Sequence, residues 1–244
     1  MIVAVIGKGG VGKTTVTALL LRRLLDAGET PILAVDADPS GCLGPALGLL
    51  VTRTLADLRD DMRSNAGTRP PSVSKADWLA LGAEEALVEQ PGFDLLTMGH
   101  PEGPGCYCFV NDLIRNHLDR LAHGYRHVLV DCEAGLEHLS RQTSGRVDRL
   151  VCVANRFRMA ARTIERALAL YRGLHGALPP MVDLVLNGWD VGTPDFSEAP
   201  SFTTLVRVPW DPAVAALDAA GRSLLELDAC SPALRALAAW EVAS

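Results

Sequence analysis

A glycine-rich loop near the start of the chain carries the clearest chemical signal in the sequence. Residues 7–14 read GKGGVGKT, and they stand between a β-branched run at residues 2–6 and a segment with the apolar spacing of a helix. A strand, a glycine-rich loop and a helix in this order form a P-loop, whose backbone N–H groups point inward at phosphate. The helix N-terminus adds partial positive charge. The sequence therefore predicts a site for a nucleoside triphosphate.

The residues of this loop have separate predicted roles. Lys13 should reach the β- and γ-phosphates, and the Thr14 hydroxyl should bind Mg²⁺. A plain P-loop does not need Lys8, which either lies over the phosphates of its own subunit, reaches those of a second subunit, or is only solvated. The predicted nucleotide-binding residues of the loop are Gly7, Gly9, Gly10, Val11, Gly12, Lys13, Thr14 and Thr15.

Carboxylates follow two apolar runs that read as strands. Asp36 and Asp38 come after residues 31–35, and Asp131 comes after residues 127–130 in a Walker B arrangement. Ligands of open parallel sheets bind beyond the carboxyl ends of the strands, where carboxylates can hold Mg²⁺ or position an attacking water. The competing interpretation of the first pair is a cap for the next helix. We predict Asp36 and Asp131, with Thr14, as the Mg²⁺ ligands.

A cysteine pair ends a loop that is rich in glycine and proline. Cys106 and Cys108 close residues 99–108 and directly precede a helical segment, a position that favours the thiolate form. Two thiolates fill half of a four-ligand metal site, and the chain has no second C-x-C pair. Two chains around a twofold axis would complete a Cys₄ site, and a [4Fe–4S] cluster fits the same count. His100 and Glu102 are further candidate ligands, and two free thiols are the remaining alternative.

The other elements predict an α/β fold with a mostly parallel central sheet and helices on both faces. We expect one domain over residues 1–244, with a helix at residues 75–90 among others. The predicted strands cover residues 2–6, 31–35, 93–98, 127–130, 148–154, 181–186 and 204–208. Asn187 follows the sixth strand and can present its amide to an adenine edge, although a strand-end turn is the competing interpretation. Pro209 follows the seventh strand and can line the base pocket.

Composition narrows the classes of function. The net charge of −6 and the dispersed basic residues argue against a nucleic-acid partner. The chain starts in a core strand without a signal peptide, and no apolar run is long enough for a membrane span, so a cytoplasmic protein is expected. The six cysteines then read as thiols or metal ligands and not as disulfides.

The loop sequence GKGGVGKT is the deviant Walker A signature, so the chain resembles the MinD/ParA/nitrogenase-iron-protein family of dimeric P-loop ATPases. The resemblance implies Mg-ATP hydrolysis in a homodimer whose interface Lys8 crosses. It also implies that Lys8, Lys13 and Asp38 are catalytic, with Asp38 activating the attacking water in switch I. Residues 131–135 would be switch II.

Three further segments narrow the resemblance to the CooC-type ATPases, which mature nickel carbon monoxide dehydrogenase. They read VDADPSGCLGPALGL, GPGCYC and AGLEHLSRQTSGRVD. The resemblance implies a metal, Ni²⁺ or Zn²⁺ in preference to an iron–sulfur cluster, at Cys106 and Cys108 on the dimer interface. It also implies carbon monoxide dehydrogenase as the client. Glu133 and Gly188 depart from the family pattern. The alternative is a regulatory nucleotide switch of the MinD/ParA kind without metal cargo.

Overall fold

An eight-stranded sheet forms the centre of the computed structural model, which describes residues 1–64, 74–99, 121–132, 147–155, 158–190 and 202–240. The strands are β1 (Ile2–Gly7), β2 (Ile32–Ala37), β3 (Leu87–Gln90), β4 (Phe93–Thr97), β5 (His127–Cys132), β6 (Arg149–Ala154), β7 (Met181–Trp189) and β8 (Thr204–Pro209). Their spatial order is β3-β4-β2-β5-β1-β6-β7-β8. Every neighbouring pair is parallel except β3 and β4.

Helices cover the sheet on both faces. They are α1 (Lys13–Asp26), α2 (Leu43–Ala46), α3 (Leu55–Ser64), α4 (Lys75–Glu85), α5 (Arg158–His175), α6 (Pro212–Ala219) and α7 (Pro232–Leu237), with a short 3₁₀ helix at Leu224–Glu226. The chain moves in one direction along the sheet from β1 to β2 and in the opposite direction from β6 to β7. Because parallel crossovers are right-handed, α1 and α5 must lie on opposite faces.

The core lies around the strands that carry the P-loop and its neighbours. The residues of β2, β5 and β6 are buried along their whole length, as expected for parallel strands covered on both faces. Helix α1 is buried on more than one face. It packs against β1 and β5, and it is itself covered by α2, α7 and the 3₁₀ helix. The P-loop is therefore anchored at both ends in the best-packed part of the protein.

The predicted fold class is confirmed, but the helix predicted at residues 75–90 is wrong at its C-terminal end. The helix stops at Glu85, and Leu87–Gln90 forms the edge strand β3, which pairs antiparallel with β4. A turn at Pro91 and Gly92 closes this hairpin, and Gly92 has φ 87°, in the left-handed region. Hydrogen bonding to a neighbouring strand overrides local helical spacing in so short a segment.

Two further differences concern the ends of elements. Strands β2 and β5 run beyond their predicted ends, so that Asp36 and Asp131 lie within the strands and are fully buried. Helix α6 was not predicted. It begins after Asp211, whose carboxylate accepts a hydrogen bond from the N–H of Ala213 at 2.9 Å, and Pro212 occupies the first turn. The two residues together form an N-terminal helix signal.

Asp211 joins two helices and gives a stability prediction. It is 6% exposed, and its carboxylate also accepts hydrogen bonds from the Ser231 hydroxyl and the Ala233 N–H at the start of α7. We predict that Asp211→Ala lowers the free energy of unfolding by about 2–4 kcal/mol, through loss of a helix cap and of hydrogen bonds to a charged group. Urea unfolding at neutral pH measures this difference.

The same contacts make this contribution depend on pH. Burial raises the pKa of Asp211, but the hydrogen bonds from Ser231, Ala213 and Ala233 outweigh burial and hold the pKa below its ordinary value. The contribution is thus complete above the unfolded pKa, about 3.9, and is lost as the pH falls through the folded pKa. The stability difference between wild type and Asp211→Asn should therefore shrink under acid. Asp218→Asn, on the exposed side of the same helix, should show no such trend.

Candidate functional site

The P-loop joins the end of β1 to the start of α1 in a conformation suited to an anion. Gly12 is the N-cap of α1, with φ 88° and ψ 34°, a left-handed conformation that favours glycine. No side chain of the described residues caps the helix, and its first turn contains no acidic residue. The N–H groups at this helix start are thus left to an anionic ligand, which the helix dipole also favours.

The two lysines of the loop occupy different environments. Lys13 is 7% exposed and lies close enough to Asp131 to oppose part of the rise in pKa that burial causes at that carboxyl. The Lys8 side chain is exposed, and its ammonium group has no hydrogen bond or ion pair with any residue in the described part of the chain. Lys13 is therefore built into the loop, whereas Lys8 can reach a group outside this subunit.

Asp131 on β5 holds the first turns of α1. The Thr14 hydroxyl donates to Asp131 Oδ2 at 2.6 Å, so the structure brings together two of the three predicted Mg²⁺ ligands. The Thr17 hydroxyl lies 3.2 Å from Asp131 Oδ1 and 3.0 Å from the backbone oxygen of Lys13. A hydroxyl has one proton, so Thr17 donates to one of these oxygens at a time.

Asp36 organises the loop that carries Asp38. Its Oδ2 accepts from the N–H of Leu43 at 2.8 Å, and its Oδ1 accepts from the N–H of Asp38 at 3.3 Å. Asp38 is half-buried and its Oδ1 accepts from the N–H of Ser40 at 2.9 Å. Both oxygens of Asp36 therefore contact the backbone of this loop, and its role as a Mg²⁺ ligand stays a prediction.

The buried carboxylates favour a nearby cation. Burial is the main cause that raises the pKa of Asp36 to about 7 and that of Asp131 to about 6. Each carboxylate also has an acidic neighbour, Asp131 for Asp36 and Asp38 for Asp131. Hydrogen bonds from Leu43 and Thr14 act in the opposite direction. Concentrated negative charge beside a phosphate-binding loop is stabilised when a cation lies between them.

These residues fit Mg-ATP. The uncapped α1 start and the buried Lys13 suit a triphosphate. A β-carbon on Gly9 or Gly10 would meet no atom of the described residues within 4 Å, so these residues leave space above the loop. Thr14 and Asp131 supply oxygen ligands of the kind Mg²⁺ takes while it keeps several waters. No group of three His, Cys, Asp or Glu side chains among the described residues is arranged to hold a metal ion.

Asn187 and Pro209, the two predicted base-binding residues, lie near the ends of the neighbouring strands β7 and β8. Asn187 is half-buried near the end of β7, and its Nδ2 donates to the backbone oxygen of Val11 in the P-loop at 2.9 Å. Pro209 ends β8 and pairs in register with Trp189. The contact between Asn187 and the P-loop was not predicted, and the base-binding roles of both residues stay predictions.

Several predicted residues lie outside the described ranges. They are Cys106, Cys108, His100, Glu102 and Glu133, together with residues 134 and 135 of switch II. The described cysteines divide into exposed Cys42 and Cys230 and buried Cys132 and Cys152. None of the helices in the described ranges is both long and apolar enough to cross a membrane.

Thr17 was not among the predicted site residues, although its hydroxyl lies 3.2 Å from Asp131 Oδ1. It stands one helical turn after Lys13, on the same helix face, and that spacing could have indicated it. Thr17→Val keeps the shape of the side chain but removes its hydroxyl. We predict that it lowers the affinity for Mg²⁺ in the presence of nucleotide by about tenfold, because groups that orient a metal ligand contribute on this scale. A Mg²⁺ titration with a fluorescent adenine nucleotide measures the effect.

The matched control for this prediction is Thr17→Ser. Serine keeps the hydroxyl on the same backbone, so it should restore most of the lost Mg²⁺ affinity. Nucleotide affinity without Mg²⁺ should be similar in all three proteins. Identical Mg²⁺ titrations for Thr17→Val and wild type would contradict a role of Thr17 in orienting Asp131.

Comparison with known proteins identifies relatives over nearly the whole chain. The CobQ/CobB/MinD/ParA nucleotide-binding domain profile matches residues 2–224. The carbon monoxide dehydrogenase accessory protein CooC of Rhodospirillum rubrum is 33% identical over an alignment of 250 positions, which covers 96% of this chain and 92% of that protein. An uncharacterized ATP-binding protein of Methanocaldococcus jannaschii is 44% identical over 168 residues, which cover 68% of this chain and 66% of the relative.

The fold has solved counterparts. The crystal structure of a ParA family ATPase from Chlorobium tepidum superimposes with a TM-score of 0.72 and 21% identity, covering 98% of this chain and 97% of that one. At 21% sequence identity, this structural similarity shows a shared fold and nothing more specific.

Proposed function

This chain is a P-loop ATPase of the CobQ/CobB/MinD/ParA nucleotide-binding family, and we propose that it works as a dimeric maturation factor that delivers a metal ion to a client metalloenzyme. We further propose a nickel-dependent carbon monoxide dehydrogenase as the client and the cytoplasm as the compartment. The observation that carries the proposal is the 33% identity to a carbon monoxide dehydrogenase accessory protein over 96% of the chain.

In the proposed reaction, residues of this chain bind and orient ATP. The backbone N–H groups at the start of α1 and the Lys13 ammonium stabilise the charge on the phosphates. Thr14 and Asp131 would hold Mg²⁺, which supplies neutralising charge at the phosphates when bound. Asp38 orients and deprotonates the attacking water, and the 2.9 Å hydrogen bond from the N–H of Ser40 fixes its carboxylate.

The metal cargo is proposed to bind between two subunits at Cys106 and Cys108. Each chain offers two thiolates in one C-x-C pair, and soft or borderline ions such as Ni²⁺ and Zn²⁺ are suited to thiolate ligands. Two subunits supply four such ligands around a twofold axis. Since Lys8 would cross the same interface, nucleotide and metal would both favour the dimer and so strengthen each other's binding.

The direct test is metal stoichiometry in purified protein. We expect one Ni²⁺ or Zn²⁺ per two chains, measured by equilibrium dialysis with mass in solution, and tighter binding with a slowly hydrolysed ATP analogue. Replacing Cys106 and Cys108 by serine should abolish this binding. The matched control replaces Cys42 and Cys230, the two exposed cysteines of the described ranges, and should leave the stoichiometry unchanged.

Other outcomes would separate the parts of the proposal. One metal per chain, or binding that survives the Cys106 and Cys108 substitutions, would contradict the shared site. Equal metal affinity with and without the analogue would contradict the coupling but not the site. A protein that hydrolyses ATP and dimerises but binds no metal would instead be a regulatory nucleotide switch of the MinD/ParA kind.

A further inference from the structure

The side chain of Asn187 connects the phosphate-binding end of the site with the strand predicted to receive the base. Strand β6 separates β1 from β7 in the sheet, so the strands that carry the P-loop and Asn187 share no backbone pairing. The hydrogen bond from Asn187 Nδ2 to the Val11 oxygen, at 2.9 Å, joins them directly. A backbone oxygen can only accept, so the amide must turn its NH₂ group toward the loop.

Close packing accompanies this hydrogen bond. A β-carbon added to Gly12 would lie 2.2 Å from Asn187 Nδ2 and 3.4 Å from its Cγ. Glycine at residue 12 thus meets two requirements, the left-handed conformation at the start of α1 and the space taken by the amide. Asn187 contacts both residues that lead from the loop into the helix.

The end of β7 is irregular where Asn187 lies. The register with β8 shifts between Asn187 and Trp189, and the intervening Gly188 has φ 66°, in the left-handed region. An irregularity of this kind changes the direction in which a strand residue points its side chain. Gly188 therefore permits the local backbone that accompanies the Asn187 contact.

We infer that Asn187 is a positioning residue of the phosphate loop, which holds Val11 and Gly12 in the anion-binding conformation whether or not a base is bound. The inference rests on nucleotide binding by the P-loop and is independent of the proposed metal cargo. Its Oδ1 has no hydrogen bond to a residue in the described ranges, so the same amide retains an acceptor for the amino group of adenine. Asn187 can then contact the phosphate loop through its NH₂ group and the adenine base through its Oδ1.

A ligand that has phosphates but no base separates the role of Asn187 in positioning the loop from its role as a base contact. We expect Asn187→Leu, which keeps similar size but cannot donate, to bind Mg-tripolyphosphate about threefold to tenfold more weakly than wild type, the effect of one lost hydrogen bond. Mg-ATP affinity should fall at least as much, and Asn187→Ala should show the same pattern. The control is Trp210→Ala, which removes a 71% exposed side chain just after β8 and should leave tripolyphosphate affinity unchanged. Calorimetry measures both affinities, and thermal unfolding without ligand checks the fold.

Wild-type tripolyphosphate affinity in Asn187→Leu, with only Mg-ATP binding weakened, would overturn the inference and leave Asn187 as a base contact. Failure of both variants to fold would also overturn it, because a residue that only positions a loop is not needed for the fold. If wild type itself bound neither Mg-tripolyphosphate nor Mg-ATP, the inference would fall together with nucleotide binding. A lack of metal cargo would leave it intact.

Discussion

Asp38→Ala is expected to lower the rate of ATP hydrolysis by about 10²- to 10⁴-fold, the usual contribution of a positioned general base, while nucleotide affinity changes little. Asp38 lies just beyond β2 in a loop that Asp36 holds by two backbone hydrogen bonds, at Asp38 and at Leu43. It is half-buried and influences the pKa of Asp131 across the site. Single-turnover hydrolysis and nucleotide binding should be measured on the same preparations.

Two variants make this result specific. Asp38→Asn retains an acceptor for the N–H of Ser40 but has little basicity, so its hydrolysis rate should be nearly as low as that of the alanine variant. Asp218→Ala removes an exposed carboxylate on α6 and should hydrolyse ATP like wild type. A hydrolysis rate in Asp38→Asn equal to that of wild type would exclude Asp38 as the base.

Lys8→Ala is expected to reduce hydrolysis by about 10²-fold or more, as when a charge that stabilises the transition state is removed. Because the Lys8 side chain is exposed while Lys13 is buried in the loop, loss of Lys8 should leave Mg-ATP binding to the single subunit intact. Lys13→Ala should weaken binding itself. The measurement is turnover at a series of protein concentrations, together with equilibrium binding.

If Lys8 acts across a dimer interface, the dependence of turnover on protein concentration should show it. If Lys8 reaches the nucleotide of a partner subunit, turnover per chain in wild type should rise with protein concentration, and Lys8→Ala should lose that rise. Lys8→Arg keeps the positive charge and should retain part of the activity. A mixed dimer of Lys8→Ala with a chain that keeps Lys8 but cannot bind nucleotide should contain one productive site if the lysine acts in trans, and none if it acts within its own subunit. Concentration-independent turnover in wild type, together with a mixed dimer that has no activity, would assign Lys8 to its own subunit.

The kind of site in this protein was predictable from sequence, because neighbouring residues encode the P-loop. The order of strand, glycine-rich loop and helix fixes where backbone N–H groups, Lys13 and the Thr14 hydroxyl can lie. The buried strands are continuous apolar runs, so the parallel sheet and the carboxylates at its edge were also predictable. Local sequence was less informative at Leu87–Gln90, where pairing with β4 decided between strand and helix.

Contacts between these groups depend on how the strands are arranged in the folded protein. Thr14 and Asp131 are 117 positions apart in the chain, and Asn187 is 176 positions from Val11. Such contacts depend on the order of the strands, which brings β5 beside β1 and places β7 two strands away on the other side. Periodicity predicts the elements but not their order in the sheet. For that reason the hydrogen bonds of Thr17 to Asp131 and of Asn187 to the P-loop became visible only when the strands were in place.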